Sequence, residues 1–234
     1  TEYLTEQGIT ILNNVTLDSV SNDDNKPVIK ANNQNYTFDA VLYATGRKAN
    51  TANIGLEHTD IATNERGAIV VNDTCESSVP GVYAVGDVNG GPQFTYISLD
   101  DFRIVFGTLT GNGQYTLKDR KNIPYTTFLT PPLSRVGLTE EDAINQGYMV
   151  KTKEMLVATM PRAHVNDYLK GAFKIVVDAD NDLILGATLY AQGAEELINL
   201  IKMAMDNNIP YTYFKNQIFT HPTMAENLND LCNF

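Results

Sequence analysis

Pro80-Gly-Val-Tyr-Ala-Val-Gly-Asp-Val88 reads as a short buried strand that stops at a glycine and presents one carboxylate at its carboxyl end. Residues 82–85 form an apolar run without helical spacing, and Pro80-Gly81 before it is turn chemistry. Gly86 would let a ligand approach the backbone closely. Asp87, acceptor-only when ionised, can take hydrogen bonds from a polyol such as a ribityl chain. A plainer reading fits the same residues: a strand-to-loop turn whose aspartate caps the next segment.

Upstream, Asp39-Ala-Val-Leu-Tyr-Ala-Thr-Gly-Arg47 repeats the design, an apolar strand ending in a small-residue turn. Two strand-then-glycine sites in one chain predict an α/β nucleotide-binding scaffold whose ligands lie beyond the strand ends. At 234 residues and 43% hydrophobic, the chain can bury a substantial core in one large domain or two modest ones. No apolar run approaches the roughly 20 residues that cross a bilayer, and residues 1–6 lack the layout of a signal peptide, so a cytoplasmic home is expected. A net charge of −11 and the lack of a Lys/Arg cluster argue against nucleic acid or an anionic membrane as partner, because phosphate affinity rests on basic side chains. The two cysteines, Cys75 and Cys232, are too far apart for a C-x-x-C pair. The three histidines, His58, His164 and His221, show no metal-ligand spacing, so no metal is expected.

Along the chain, residues 2–7 read as the end of a helix, with Gly8 as its C-cap and 9–12 as a strand. Residues 15–20 and 27–31 follow as strands around a polar loop at 21–26, and Asn32-Asn33 is a hairpin turn into 36–38. Leu99, Phe102, Val105, Phe106 and Leu109 have the spacing of an amphipathic helix. The polar stretch 117–122 is the candidate linker. Beyond it come strands at 125–129 and 135–138, a helix N-capped by Thr139 and closed at Gly147, and strands at 150–158, 172–177 and 183–190. A long helix carries Leu197, Ile198, Ile201, Ala204 and Met205 on one stripe. That stripe and residues 209–219 bear more apolar side chains than a lone domain should expose, which predicts a homodimer.

His221-Pro-Thr-Met-Ala-Glu226 supports two readings. Thr223 to Glu226 fits the capping box Ser/Thr-x-x-Glu, making His221 an ordinary residue before a helix. Alternatively, Glu226 hydrogen-bonds one ring nitrogen of His221 and leaves the other as acid or base. A carboxylate there favours the protonated imidazole, the form that stabilises a thiolate or protonates a leaving sulfur.

These residues, with Ala44-Thr-Gly-Arg47 and Asn50, residues 79–88, Val136-Gly-Leu-Thr-Glu140 and Gly171-Ala-Phe-Lys174, resemble the C-terminal portion of a class I pyridine nucleotide-disulfide oxidoreductase over essentially the whole chain. Residues 93–101 and 218–222 are similar to its mercuric-reductase-like, reactive-chlorine-resistance branch. The resemblance implies an α+β chain: remnants of α/β FAD- and NAD(P)-binding domains, then an α+β dimerisation domain with a mainly antiparallel sheet. It places the tail of the NAD(P)-binding domain at 1–48, the second segment of the FAD-binding domain at 49–121 and the dimerisation domain at 122–234. It implies FAD contacts at Thr45, Gly46, Arg47, Gly86 and Asp87, and a catalytic His221–Glu226 pair acting on the partner subunit's redox cysteines. In the full-length protein, NAD(P)H would reduce FAD, and FAD a cysteine pair that turns over a small-molecule disulfide or oxidant. The glycine fingerprints and the cysteine pair are not in these residues, so the chain alone is expected to be inactive and to bind no flavin. Mercuric reductase carries paired cysteines near its C-terminus, whereas 230–234 offers only Cys232, which argues against mercuric ion as substrate. The competing expectation is an autonomous dimerisation or binding module with no catalytic role.

Overall fold

The structure is a computed structural model describing residues 1–234. It divides into two compact units, Thr1–Gln114 and Tyr115–Phe234.

The first unit opens with α1 (Glu2–Glu6), which ends at Gly8 as read from sequence. An antiparallel meander follows, with β1 (Leu17–Asp23), β2 (Lys26–Ala31) and β3 (Gln34–Thr37) in sequential order. Both of its turns are two-residue turns with positive φ at each position, Asp24-Asn25 and Asn32-Asn33. That geometry matches the right-handed twist of paired strands. The expected loop at 21–26 is therefore shorter than read: Ser21, Asn22 and Asp23 continue the ladder opposite Val28, Pro27 and Lys26. Their polarity carries no penalty on an exposed hairpin, whose pairing is made by backbone groups.

Three strands expected in this unit do not form. Residues 9–12 and 39–44 lie outside any strand, and 82–85 contribute only an isolated bridge between Tyr83 and Glu76. A strand needs a neighbour for its backbone N–H and C=O groups, and no ladder within this chain pairs with these segments. Leu42 and Tyr43 are accordingly 89% and 66% exposed. After 82–85 the chain tightens into a 3₁₀ turn at Gly86–Asn89 and then enters α2 (Thr95–Thr110), which buries Ile97, Asp101 and Ile104.

The second unit is a five-stranded sheet with helices. Its elements are β4 (Tyr125–Thr127), β5 (Leu133–Gly137), α3 (Glu140–Asn145), β6 (Val150–Leu156), α4 (Pro161–Val165), β7 (Ala172–Asp178), β8 (Ile184–Tyr190), α5 (Ala194–Asp206), α6 (Tyr211–Asn216) and α7 (Asn227–Leu231). The strand order is β4-β5-β8-β7-β6, and every neighbouring pair is antiparallel. Phe173, Ile175 and Val177 lie on one face of β7 and are fully buried, and Val176 and Asp178 on the other face are buried as well. Against this sheet α5 lays Leu197, Ile198, Ile201 and Ala204 from the expected stripe, with Ala194 also buried and Met205 partly so. Leu228, Leu231 and Cys232 from α7 and its end complete the core. The Thr139 cap of α3 is present as read: its hydroxyl accepts the Asp142 N–H at 3.0 Å, and the Asp142 carboxylate reaches back to the Thr139 N–H. The stretch 117–122 opens with a 3₁₀ turn at Leu117–Asp119, capped reciprocally by Thr116 and Asp119, and is extended at Arg120. No helix is long and apolar enough to cross a membrane.

Candidate functional site

In the first unit the sequence-predicted residues converge only in part. Arg47 Nη1 lies 2.9 Å from Asp87 Oδ2, joining the two strand-then-glycine motifs across forty residues of sequence. Thr45 and Gly46 lie on the exposed segment leading to Arg47. The Asp87 side chain is 39% exposed, so it keeps acceptor capacity facing a cleft of about 920 Å³. That cleft is lined by Arg47, Lys48, Arg66, Glu65, Asp87 and the Gly90-Gly91 backbone, among others. Three cations beside two carboxylates suit a ligand with phosphate at one part and hydroxyls at another. The residues present therefore fit a dinucleotide such as FAD.

Gly86 packs closely against α2. Its φ is +73°, and a Cβ built there would sit 2.7 Å from the Ser98 hydroxyl on α2. Its N–H donates at 2.7 Å to Asp101, which is fully buried and also accepts from Asn89 Nδ2 at 2.9 Å. Asp101 thus fixes the turn that carries Asp87. Sequence reading assigns it no role, and its full burial marks it out, since carboxylates are rarely buried without partners.

In the second unit His221 and Glu226 do meet. His221 Nδ1 lies 2.8 Å from Glu226 Oε2. The other carboxylate oxygen, Oε1, accepts the Thr223 N–H at 2.9 Å, while the Thr223 hydroxyl accepts the Glu226 N–H at 3.2 Å and donates to the Thr220 carbonyl at 2.7 Å. The capping interaction and the histidine pairing, read from sequence as alternatives, coexist because a carboxylate has two oxygens. The hydrogen bond from His221, followed by that from the Thr223 backbone, holds the Glu226 carboxyl below the ordinary carboxylate range. An ionised Glu226 is acceptor-only, so Nδ1 carries the proton and Nε2 is the nitrogen left to exchange one. The His221 side chain is 69% exposed and that of Glu226 18%. The orienting group is therefore sheltered and the ring is open to a reactant.

Two other residues behave as the chemistry of their surroundings dictates. Burial pushes the Cys232 thiol up to about 12, which leaves it protonated and unreactive. His164, on the exposed face of α4, pairs through Nε2 with the Ala158 carbonyl at 2.8 Å and stands apart from both sites in the sequence.

Two family models match the chain. Residues 1–101 match the pyridine nucleotide-disulphide oxidoreductase model, and 123–232 match the pyridine nucleotide-disulphide oxidoreductase dimerisation domain. The probable pyridine nucleotide-disulfide oxidoreductase RclA of Escherichia coli is 45% identical over 228 residues, which cover 97% of this chain and 52% of that protein. Mercuric reductase of Staphylococcus aureus is 33% identical over 231 residues, covering 97% and 42%. The solved structure of the HOCl-induced flavoprotein disulfide reductase RclA from Escherichia coli superposes with a TM-score of 0.95 at 44% identity, covering 99% of this chain and 53% of that one. The chain thus spans about half the length of these relatives. With both family models falling in order along it, and with this fold, the chain belongs to the pyridine nucleotide-disulphide oxidoreductases.

Proposed function

We propose that this chain forms part of an FAD- and NAD(P)H-dependent oxidoreductase acting on a disulfide or a related small-molecule oxidant. In this reading it supplies part of the flavin site, a homodimer interface, and a His221–Glu226 proton shuttle for the partner subunit's redox cysteines. The observation that carries the proposal is the His221 Nδ1 to Glu226 Oε2 bond of 2.8 Å with the ring left exposed. A structural cap alone has no need of an imidazole at the surface end of a sheltered carboxylate.

In the first unit Asp87 accepts hydrogen bonds from ribityl hydroxyls, and Arg47 holds that carboxylate in place. Bound FAD supplies the two-electron relay between nicotinamide and a cysteine pair. In the second unit His221 Nε2 takes the proton of a cysteine thiol, so that the thiolate attacks the substrate, and returns that proton to the leaving group. Glu226 fixes the ring's tautomer and stabilises the imidazolium in between. The exposed apolar side chains around Ile218 support placing this pair at a two-fold interface, where the partner's cysteines come within reach.

The test separates the two half-reactions in the full-length protein. His221→Ala is expected to slow re-oxidation of the reduced enzyme by its disulfide substrate on the order of 10²- to 10⁴-fold, the range of general acid–base catalysis, while reduction of the flavin by NAD(P)H keeps its rate. Equal damage to both half-reactions removes His221 from the shuttle and leaves only the cap.

A further inference from the structure

We infer that Asn229 is a positioning residue for the His221–Glu226 pair, acting by fastening both ends of the loop that carries His221. This rests on the proton-shuttle reading of that pair.

Residues 217–226 leave the end of α6 and return to the start of α7, with His221 at their middle. The Thr223 hydroxyl clamps the loop at its apex, donating to the Thr220 carbonyl at 2.7 Å, and one further side chain closes the loop at its base. The Asn229 carboxamide nitrogen donates to the Phe214 carbonyl at 2.6 Å and the Gln217 carbonyl at 2.9 Å, with the Lys215 carbonyl at 3.3 Å sharing a proton. These carbonyls belong to the last turn of α6 and the residue after it, groups that a helix C-terminus leaves without intrahelical partners. On its own side, Asn229 is held by its N–H to the Glu226 carbonyl at 3.0 Å. It thus sits one turn beyond Glu226 and reaches back to the residues that lead into His221.

The neighbouring anchors leave that task to Asn229. Asn227 donates to the Thr223 and Met224 carbonyls, both within the returning arm. Lys153 donates to the Asp230 and Asn233 carbonyls and so fixes the far end of α7 to β6. Neither reaches the outgoing arm. Among these anchors, Asn229 alone bridges α7 to the end of α6. The Nδ1 to Oε2 distance is a distance between the loop's apex and its returning arm, so slack in the outgoing arm is transmitted to it. The side chain touches neither nitrogen of His221, and its part is geometric.

The pairing can be read directly in the chain by ¹⁵N-histidine NMR, because there are only three histidines and His221→Gln identifies the signals of interest. At a pH where the ring is neutral, the pair holds the proton on Nδ1, and Glu226→Ala, which removes the acceptor, should release it to the Nε2-protonated form favoured by a free imidazole. Asn229→Ala is expected to produce the same exchange of protonated and bare nitrogen while the circular dichroism of the chain is retained. In the full-length protein it should slow re-oxidation by disulfide on the order of tenfold or more, with flavin reduction unchanged. If Asn229→Ala does not fold, Asn229→Ser, which keeps one donor at shorter reach, carries the same expectation. An Asn229 variant that folds and keeps the wild-type Nδ1 proton, while Glu226→Ala loses it, overturns the positioning role and leaves the shuttle intact. A Glu226→Ala variant that also keeps it removes the pair itself, and both readings with it.

Discussion

Replacing Ile218 by aspartate tests the proposed interface where the chain exposes it most. Ile218 is 95% exposed, and Phe128 in the same unit is 78% exposed, so nearly the whole isoleucine side chain is available for burial. Removing an aliphatic side chain of this size from water contributes about 1.5–3 kcal/mol. A two-fold interface uses each residue twice, so the substitution costs a dimer about 3–6 kcal/mol, before the added expense of desolvating a carboxylate. That corresponds to a dissociation constant raised on the order of 10²- to 10⁴-fold. Sedimentation velocity across nanomolar to micromolar concentrations measures it, with Ile144→Asp on α3, a surface this reading leaves outside the interface, as control for the added charge. A dimer in which Ile218→Asp and Ile144→Asp dissociate alike would refute the placement of this segment at the two-fold axis.

Other consequences follow from individual contacts. Glu226 and Asp142 are each held below the ordinary carboxylate range, chiefly by hydrogen bonds from His221 and Thr139 respectively. Their stabilisation is present above the ordinary carboxylate value and is lost as pH falls through the lowered ones, so thermal midpoints should decline in acid, and less steeply in the double variant Glu226→Gln/Asp142→Asn. Thr139→Ala removes the cap of α3 and should cost about 1 kcal/mol by denaturant titration. At Gly171, φ is +123° and a Cβ would collide with the Tyr190 carbonyl oxygen, so Gly171→Ala should destabilise by about 3 kcal/mol or more. Cys232, with its thiol at about 12, should resist alkylation at pH 8 in the folded chain and react at once in denaturant.

How much the sequence revealed depended on whether a signal was local. Caps and two-residue turns need only neighbours in sequence, so the Thr139 cap, the Gly8 end of α1 and the Asn32-Asn33 turn were legible. The second unit's strands were legible too, because each has a partner within the chain. Residues 9–12, 39–44 and 82–85 misled for the complementary reason: their composition favours strands, but composition supplies no ladder. His221 and Glu226 could be paired from spacing because Pro222 and the Thr223 cap are local. Asp101 and Asn229 could not, since their work is to bind groups twelve or more residues away.

The central claim is that His221 serves the cysteines of the other subunit. A hybrid dimer of the full-length protein, purified through two different affinity tags, tests it most directly: one subunit carries His221→Ala, and the other retains His221 but has its redox cysteines replaced by serine. Action across the two-fold axis leaves one complete site, and the hybrid should turn over disulfide at about half the wild-type rate per dimer. Action within a subunit leaves none, and an inactive hybrid would contradict the account.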